Sequence, residues 1–333
     1  MSAGAVFVTG ATGFLGGVLV RRLLADGREV VASGRNADRL QDLRGLGASV
    51  LPLDLGADLS EMTEMDWPSC GAVVHCAALS SPWGKRADFV RANIVGTQNA
   101  IEIARRLGAK RFVHISTPSV YFQFADQENV SEEMALPKPV NAYAGTKRAA
   151  EKLVLEAGEL DPVVLRPRGL YGAGDEALLP RLLAAAAARP LPLMRGGVAG
   201  IDLTHVEDVA SAALAALRAD EGVAERVFNI SGGALLPVVE IVEAACARAG
   251  VRAAWRKVPV GVVLAYARTL ETVCRLRPSY PEPALTAYAA GLFALRQSLD
   301  ISRAQKHLGW TPKIGFEEGL ERTFAGLARG GTV

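Results

Sequence analysis

The chain has 333 residues, of which 50% are hydrophobic and 22% are charged, and its formal net charge is +2. This composition is typical of a folded globular protein and excludes an intrinsically disordered chain. The 37 basic and 35 acidic residues nearly balance, and no basic run stands out. We therefore expect no nucleic-acid partner.

Cysteine usage and apolar segments indicate the compartment. None of the four cysteines belongs to a CxxC pair, and no His/Cys cluster has metal-ligand spacing. We therefore expect no metal site, and free thiols in a cytoplasmic protein. The N-terminus lacks the features of a signal peptide, and no run of about 18 apolar residues predicts a membrane span. Contact of the apolar segment 258–267 with a membrane surface is left open.

The first half of the chain alternates short β-rich runs with helical patterns. Residues 5–9, 29–33, 48–52, 72–75 and 111–116 read as strands rich in Val, Ile or Phe. Residues 14–26 and 86–107 have apolar side chains at helical spacing. This alternation predicts a parallel, doubly wound sheet, and the continuously apolar strands indicate that both faces of the sheet are covered.

In the second half the pattern changes after residue 166, where Pro167 and three glycines mark a loop. This half begins with a helix at 141–158 and a strand at 162–166, followed by helices at 176–188 and 206–218 and a strand at 227–230 that returns to the sheet. From about residue 237 the pattern is mostly helical. The fold predicted is α/β, a Rossmann domain (1–175 and 201–234) with a smaller, mostly helical C-terminal cap (176–200 and 235–333).

A glycine-rich turn follows the first strand, with the sequence TGATGFLG at 9–16. Gly10 permits a tight turn, Gly13 lets the backbone approach a diphosphate, and Gly16 permits close packing of helix and strand. The helix that follows directs its N–H groups at the phosphate. A plain βα turn needs one glycine, so three of them predict a dinucleotide site. The residues expected in this part of the site are Gly10, Thr12, Gly13, Phe14, Leu15 and Gly16.

The end of the second strand indicates which dinucleotide is bound. Folds that bind NAD usually place an acid there, but this chain reads VVASGRN at 30–36. Ser33 and Arg35 stand where the 2′-phosphate of NADP would lie, and an Arg–phosphate contact contributes about 1.5–3 kcal/mol. We expect NADP(H) to be preferred over NAD(H), unless Arg35 is only a solvated surface residue. Asp54, next to Leu55, either accepts a hydrogen bond from the adenine or caps a turn.

Catalytic residues are predicted on the helix at 141–158. Tyr143 and Lys147 are four residues apart and share one face of it. A free tyrosine has a pKa near 10, and we expect the lysine ammonium and the nicotinamide charge to lower it. Tyr143 could then exchange a proton with the substrate oxygen. Thr117, at the end of the fifth strand, is our choice for the hydroxyl that holds this oxygen, with Ser116 and Ser119 as alternates.

These and further motifs together resemble the extended short-chain dehydrogenases/reductases of the NAD-dependent epimerase/dehydratase superfamily, over nearly the whole chain. They are TGATGFLG at 9–16, HCAA at 75–78, NIVGT at 93–97, STPSVY at 116–121, YAGTK at 143–147, RPRGLYGAGD at 166–175, HVEDVA at 205–210 and LGWTPKIGFEEGLERT at 308–323. The resemblance implies that Asn93 orders the active-site helix or a proton-relay water, and that Pro167 lies beside the nicotinamide. Further cofactor contacts are expected from Cys76, Ala77, Ala78, Ser116, Tyr143, Lys147 and Arg168. We consider a homodimer as the assembly.

Substrate class is argued from departures within that family. Pro118 and Ser119 occupy the positions of the acidic pair of dehydratases, and Gly169 and Ile201 those of the Asn and Arg that bind a diphosphate in epimerases. The cap segment 258–294 is apolar, which fits either an ordinary core or an apolar substrate.

This pattern is similar to the branch of 3β-hydroxysteroid dehydrogenases and 2-alkyl-3-oxoalkanoate reductases. We expect a ketone or secondary alcohol on a small apolar molecule to be the substrate. The alternatives are a nucleotide-sugar epimerase and a non-catalytic NADP-sensing protein. The intact pair Tyr143 and Lys147 argues against the second of these, because a sensor has no need of it.

Overall fold

The computed structural model describes residues 4–58, 67–220, 222 and 225–328, so the outer ends of the predicted domains lie outside it. Within these ranges the strands are β1 (Val6–Thr9), β2 (Val30–Gly34), β3 (Ser49–Pro52), β4 (Ala72–His75), β5 (Arg111–Ile115), β6 (Gln127–Val130), β7 (Pro162–Pro167), β8 (Leu170–Tyr171), β9 (Leu191–Leu193), β10 (Gly200–Ile201), β11 (Thr204–His205), β12 (Val227–Ile230), β13 (Leu236–Pro237), β14 (Trp255–Lys257) and β15 (Arg296–Leu299). The helices are α1 (Phe14–Ala25), α2 (Ala37–Gly45), α3 (Arg86–Phe89), α4 (Gly96–Arg106), α5 (Ala142–Glu156), α6 (Leu179–Ala188), α7 (Val206–Arg218), α8 (Val238–Ala249), α9 (Val260–Leu276), α10 (Ala287–Leu292), α11 (Ser302–Leu308) and α12 (Phe316–Ala328).

The main sheet is parallel and covered on both faces. Its seven strands, counted over the described residues, follow the order β12-β7-β5-β4-β1-β2-β3. Helices α1, α7 and α11 pack on one face, and α4 and α5 on the other. Every residue of β1 is buried, because neighbouring side chains of a strand point to opposite, covered faces. The predicted doubly wound sheet is confirmed, and β12 returns to it beside β7 as expected.

The direction of winding changes at β1, which positions the site. β1 pairs with β2 on one side and with β4 on the other. In open α/β sheets, ligands bind outside the carboxyl ends of the strands at such a switch point, since the loops there diverge to opposite faces. The glycine-rich turn after β1 lies at this point.

The helix predicted at 86–107 is interrupted by a wider turn. α3 continues into a π-helical segment, Val90–Val95, and then into α4. Such π segments recur at functional sites because they change the direction of side chains within a helix. This segment contains Asn93, which is buried.

The cap is mostly helical, as predicted, but it also contains strands that the sequence analysis missed. Four short strands of the described chain form a second sheet in the order β13-β10-β15-β6. One of them, β6, comes from a segment that we assigned to the cofactor domain, and β10 lies across the predicted boundary between residues 200 and 201. They escaped detection because strands of two to four residues with polar members show no hydrophobic period. Among the described residues, no helix is both long and apolar enough to cross a membrane.

Candidate active site

A cavity of about 540 Å³ opens at the carboxyl ends of β1 to β4. Ten residues predicted to bind the cofactor line it: Gly10, Thr12, Gly13, Ser33, Arg35, Asp54, Leu55, Cys76, Ala77 and Ala78. They come from four different loops of the chain, so the sheet brings them together. The remaining predicted residues lie in the first turn of α1 or around α5 and β7.

The glycine-rich turn forms a cradle that leaves no room for side chains. Gly10 has a φ of 64°, and a Cβ added there would lie 2.6 Å from the backbone nitrogen of Ala77. A Cβ at Gly16 would collide with the carbonyl of Gly10. Gly13 caps α1 without a side-chain hydrogen bond, and the first turn of α1 holds no acid. The amides at this helix end are therefore available to an anion, and the cradle fits the diphosphate of a dinucleotide.

The end of β2 forms the wall of the cavity next to this cradle. Within the described ranges, Arg35 makes no hydrogen bond or ion pair, while Ser33 beside it is buried. A Cβ at Gly34 would lie 2.6 Å from the hydroxyl oxygen of Thr12. An acidic side chain at position 34 would have to displace Thr12, so the wall offers a free cation and disfavours an acid.

Asp54 adopts the turn-capping role that we considered for it. Its carboxylate accepts a hydrogen bond from the amide of Gly56 at 3.0 Å and pairs with Arg91 at 2.6 Å. Arg91 and Asp88 also line the cavity, although the sequence analysis did not name them. No local signal marks them, because only the packing of α3 and the π segment brings them beside the loop after β3.

The phenol of Tyr143 lies among hydroxyl groups. Asn141 caps α5 by accepting a hydrogen bond from the amide of Ala144 at 2.8 Å, which sets Tyr143 in the first turn. The hydroxyl of Ser80 donates to the phenol oxygen at 3.3 Å. The side chain of Thr117 lies close enough to the phenol to affect its pKa, while the hydroxyl of Thr117 donates to Ser119 at 3.0 Å. The structure thus brings the predicted pair Tyr143 and Thr117 together and adds Ser80, which the sequence analysis missed.

The ammonium of Lys147 bonds residues of β5, and no hydrogen bond joins it to Tyr143 in the described structure. It donates to the carbonyl of Ile115 at 2.7 Å and to Nε2 of His114 at 3.1 Å. Burial lowers the pKa of Lys147 to about 8. Burial raises the pKa of Tyr143, and the neighbouring hydroxyls of Ser80 and Thr117 offset this rise only in part. The expectation that the lysine lowers the pKa of the tyrosine is therefore wrong for the groups of the protein itself.

Two buried histidines lie behind Lys147. Burial and the nearby lysine charge lower the pKa of His75 to about 3 and that of His114 well below its usual value, so both rings are neutral. The ring of His75 bridges the hydroxyls of Thr9, at 2.7 Å, and Thr97, at 3.1 Å. The two imidazoles stack with centroids 5.3 Å apart. Both neutral rings thus lie near the ammonium of Lys147, which bonds His114 directly.

Ser116 is not available to a substrate. Its hydroxyl donates to the carboxylate of Glu151, which also forms a buried, two-bond ion pair with Arg166 at 2.9 and 2.5 Å. This pair ties α5 to β7 beneath the site. Ser119, the other alternate, accepts from or donates to the phenol of Tyr288 at 2.8 Å and receives the hydroxyl of Thr117 at 3.0 Å.

The residues implied only by the family resemblance differ in their surroundings. Asn93 bonds both backbone groups of Leu79 and the hydroxyl of Thr146, and so ties the loop after β4 to α5. Pro167 is buried at the end of β7. The guanidinium of Arg168 pairs with Asp202 at 3.0 Å and bonds Gln297 at 2.8 Å, so its charge is already matched.

Comparison with known proteins agrees with this geometry. Residues 6–231 match the model of the NAD dependent epimerase/dehydratase family. The chain is 32% identical to a 4-hydroxy-2-methyl-3-oxo-4-farnesyl-3,4-dihydroquinoline-1-oxide ketoreductase of Stigmatella aurantiaca, over 95% of this chain and 94% of that one. It is 30% identical to the 2-alkyl-3-oxoalkanoate reductase of Shewanella oneidensis, over 96% and 86% of the two chains.

A solved structure, MoeE5 in complex with UDP-glucose and NAD, superposes with a TM-score of 0.71 at 27% identity and covers 98% of this chain and 99% of that one. These relatives confirm the prediction of an enzyme that acts on alcohol or carbonyl carbons. The chain belongs to the NAD-dependent epimerase/dehydratase family, as an extended short-chain dehydrogenase/reductase.

Proposed function

We propose that this enzyme interconverts a ketone and a secondary alcohol on an apolar molecule, with NADP(H) as its preferred cofactor. The observation that carries the proposal is the position of the Tyr143 phenol. It lies at the carboxyl edge of the sheet, hydrogen-bonded to Ser80 and close to the side chain of Thr117. A dinucleotide cradle opens on one side of this edge, and an apolar cap covers another.

The roles of the side chains follow from their protonation. When bound, the dinucleotide supplies or accepts the hydride. Because burial raises the pKa of Tyr143, the phenol stays protonated at neutral pH and can donate its proton to the oxygen of a ketone. The hydroxyl of Ser80 already contacts this phenol and that of Thr117 lies close to it, so both can hold the same oxygen. Lys147 contributes a positive charge that is fixed by Ile115 and His114.

For the reverse reaction, the phenol must lose its proton. A cationic nicotinamide ring next to the phenol would favour the phenolate, since an opposite charge within a few ångströms lowers a pKa. We therefore expect alcohol oxidation to accelerate as the pH rises. We expect ketone reduction to need no such rise.

An apolar substrate is supported by the cap residues around the catalytic hydroxyls. Tyr288 of α10 reaches Ser119, and its ring lies 4.7 Å from that of Phe122. Behind these rings is a cluster of buried and half-buried apolar side chains, among them Val263, Leu264, Ala267, Leu285, Ala290 and Leu292. Tyr288 thus joins a polar tip, bonded to the neighbour of Thr117 in the hydroxyl chain, to an apolar wall.

We propose that Tyr288 orients the substrate, as a positioning residue of this site. Its phenylalanine variant should lose several-fold in kcat/KM on ketones while NADPH binding stays unchanged. If both parameters stay unchanged, Tyr288 belongs only to the core of the cap.

The preference for NADP(H) is supported by the wall at the end of β2. Arg35 is exposed to the cavity and carries a charge that no described side chain neutralises. The acid that would hold the ribose of NAD could be placed at position 34 only if the side chain of Thr12 moved. Ser33 adds a hydroxyl beside this point, and both groups suit a 2′-phosphate.

A nucleotide-sugar epimerase is the second candidate, because MoeE5 is seen with UDP-glucose. Three observations disfavour it. Gly169 has a φ of 51°, and a Cβ there would lie 2.5 Å from the buried Leu203, so an asparagine does not fit without repacking. Ile201 provides no charge, and the charge of the neighbouring Arg168 is matched by Asp202.

The buried ammonium of Lys147 disfavours a third candidate, a sensor that binds NADP without turnover. Lys147 is 2% exposed, and keeping an ammonium buried is unfavourable unless it has a use. The experiment that separates these functions measures NADPH oxidation with long-chain 3-oxo esters and with simple ketones. Calorimetry with UDP-glucose provides the second measurement. Turnover of ketones without UDP-glucose binding is expected, whereas micromolar UDP-glucose binding without ketone turnover would refute the proposal.

A further inference from the structure

Helix α9 of the cap exposes an apolar stripe. Its inner face buries Val263, Ala267 and Cys274. The large apolar side chains on its outer face are exposed by 59% for Val262, 51% for Tyr266, 43% for Val273 and 80% for Leu276. At 100° per residue these four fall within an arc of about 80°, so they lie on one line along the helix, which the exposed Thr269 interrupts. They are half of the eight large hydrophobic side chains that are exposed in the described part of the chain.

Basic residues precede and follow this stripe in the sequence and lie along one side of its helix. The segment 255–278, which includes α9, contains five basic residues and a single acid, in a chain whose total formal charge is +2. The basic residues, all exposed, are Arg256, Lys257, Arg268, Arg275 and Arg277. The acid, Glu271, is only 15% exposed and is already bonded to Arg275 and to the amide of Ala287. The face therefore presents apolar side chains and positive charge together.

Aromatic rings lie beside α9, against two arginines that are about 20° apart on one side of the helix. The guanidinium of Arg268 lies 5.6 Å from the ring centre of Phe124, which is itself 40% exposed. The guanidinium of Arg275 lies 5.2 Å from the ring centre of Trp83, and that ring stacks on Tyr280 at 5.0 Å. Side chains with an apolar body and a polar tip are the ones that partition to a membrane–water interface.

We propose that α9 docks this protein on an anionic lipid membrane, lying parallel to the surface with its stripe inserted among the acyl chains. An amphipathic helix with a basic border binds membranes by the sum of apolar burial and attraction to anionic headgroups. The helix has 17 residues, is about 26 Å long and lies flat on the cap, so it contacts the surface and does not span it.

Charge complementarity selects lipid over a second copy of the chain. A two-fold contact through α9 would bring the basic borders of two copies together, with no exposed acid in the segment 255–278 to pair them. Like charges held close in an interface oppose association. An anionic surface instead matches every charged group on the border.

Docking through α9 would also bring the cap core near the lipid. The inner face of the helix packs on the cluster that contains Phe122 and Tyr288, which lie next to the catalytic hydroxyls. The inference concerns binding and stands whether or not the proposed ketone chemistry is correct, because its test measures no turnover.

The test is sedimentation of the full chain with lipid vesicles at low ionic strength. We expect binding to vesicles of phosphatidylcholine mixed with phosphatidylglycerol, and no binding to pure phosphatidylcholine. The double variant Tyr266→Ser/Leu276→Ser should reduce partitioning at least about tenfold, since two large side chains lose their burial. The triple variant Arg256→Gln/Lys257→Gln/Arg277→Gln should also reduce it at least about tenfold, because it removes the attraction to the headgroups.

Leu46→Ser is the matched control. Leu46 follows α2, is 52% exposed and lies outside the cap, so this variant should bind as the wild type does. Circular dichroism and NADPH binding establish that each variant is folded. Equal binding to both lipid mixtures, binding to neither, or full binding by the double variant would overturn the proposal. So would a wild-type dimer in size-exclusion chromatography that the double variant dissociates, because a second copy would then cover the stripe.

Discussion

Replacing Lys147 by arginine should remove the alkaline limit of ketone reduction. Burial lowers the pKa of this lysine from its usual 10.5 to about 8, a free-energy difference of about 3 kcal/mol against the charged form. The ammonium is therefore lost as the pH rises through about 8. The pKa of Tyr143 is raised by burial, so the phenol stays mostly protonated as the pH passes 8. Its titration therefore does not cause the loss of activity expected there.

The size of the effect follows from this pKa. The charged fraction of Lys147 falls from about nine-tenths at pH 7 to about one-hundredth at pH 10. If the ammonium is required, kcat/KM for ketone reduction falls about 100-fold across that interval, since kcat/KM reports groups of the free enzyme. A guanidinium stays charged throughout, so the activity that the arginine variant retains should not fall above pH 8.

The assay is NADPH oxidation with a ketone at a series of pH values, accompanied by the dissociation constant of NADPH. Lys152→Arg is the matched control, because Lys152 lies on the same helix with its side chain 77% exposed. This variant should show the same loss of activity above pH 8 as the wild type. A flat wild-type profile to pH 10 would refute the reasoning. An arginine variant that is active and still loses activity above pH 8 would also refute it, because the titrating group would then be another residue.

Three further predictions concern the cofactor, the proton and the fold. Arg35→Ala should reduce the preference for NADPH over NADH by about tenfold or more, because it removes the free cation at the cavity wall; an unchanged ratio of the two kcat/KM values would make Arg35 a surface charge only. Tyr143→Phe should lower turnover by about 100-fold to 10,000-fold and leave NADPH affinity intact, whereas near-normal turnover would remove Tyr143 from the mechanism. Glu151→Gln should reduce the free energy of unfolding by about 3–5 kcal/mol, since it leaves the guanidinium of Arg166 buried without its carboxylate. The exposed Glu156→Gln on the same helix should change it by less than about 1 kcal/mol, and equal losses in the two denaturant titrations would contradict the buried-pair argument.

Local sequence signals determined the layout of the cofactor half. Alternating apolar strands and helical periods depend on neighbouring residues, so the doubly wound sheet could be predicted from them. The three glycines at 10, 13 and 16 and the pair Tyr143 and Lys147, one helical turn apart, are likewise local patterns. The short strands of the second sheet carry no such pattern, and only their pairing partners make them strands.

The electrostatics of the site were decided by the tertiary structure. Ser80 meets Tyr143 across 63 residues of sequence, and Ser119 meets Tyr288 across 169. Lys147 shares a helix face with Tyr143, yet its ammonium turns to His114 and Ile115 because those acceptors lie beneath it. The pKa of the tyrosine rises instead of falling, since burial acts through every atom that excludes water. Burial and long-range contacts depend on how distant segments pack, and no local spacing in the sequence contains that information.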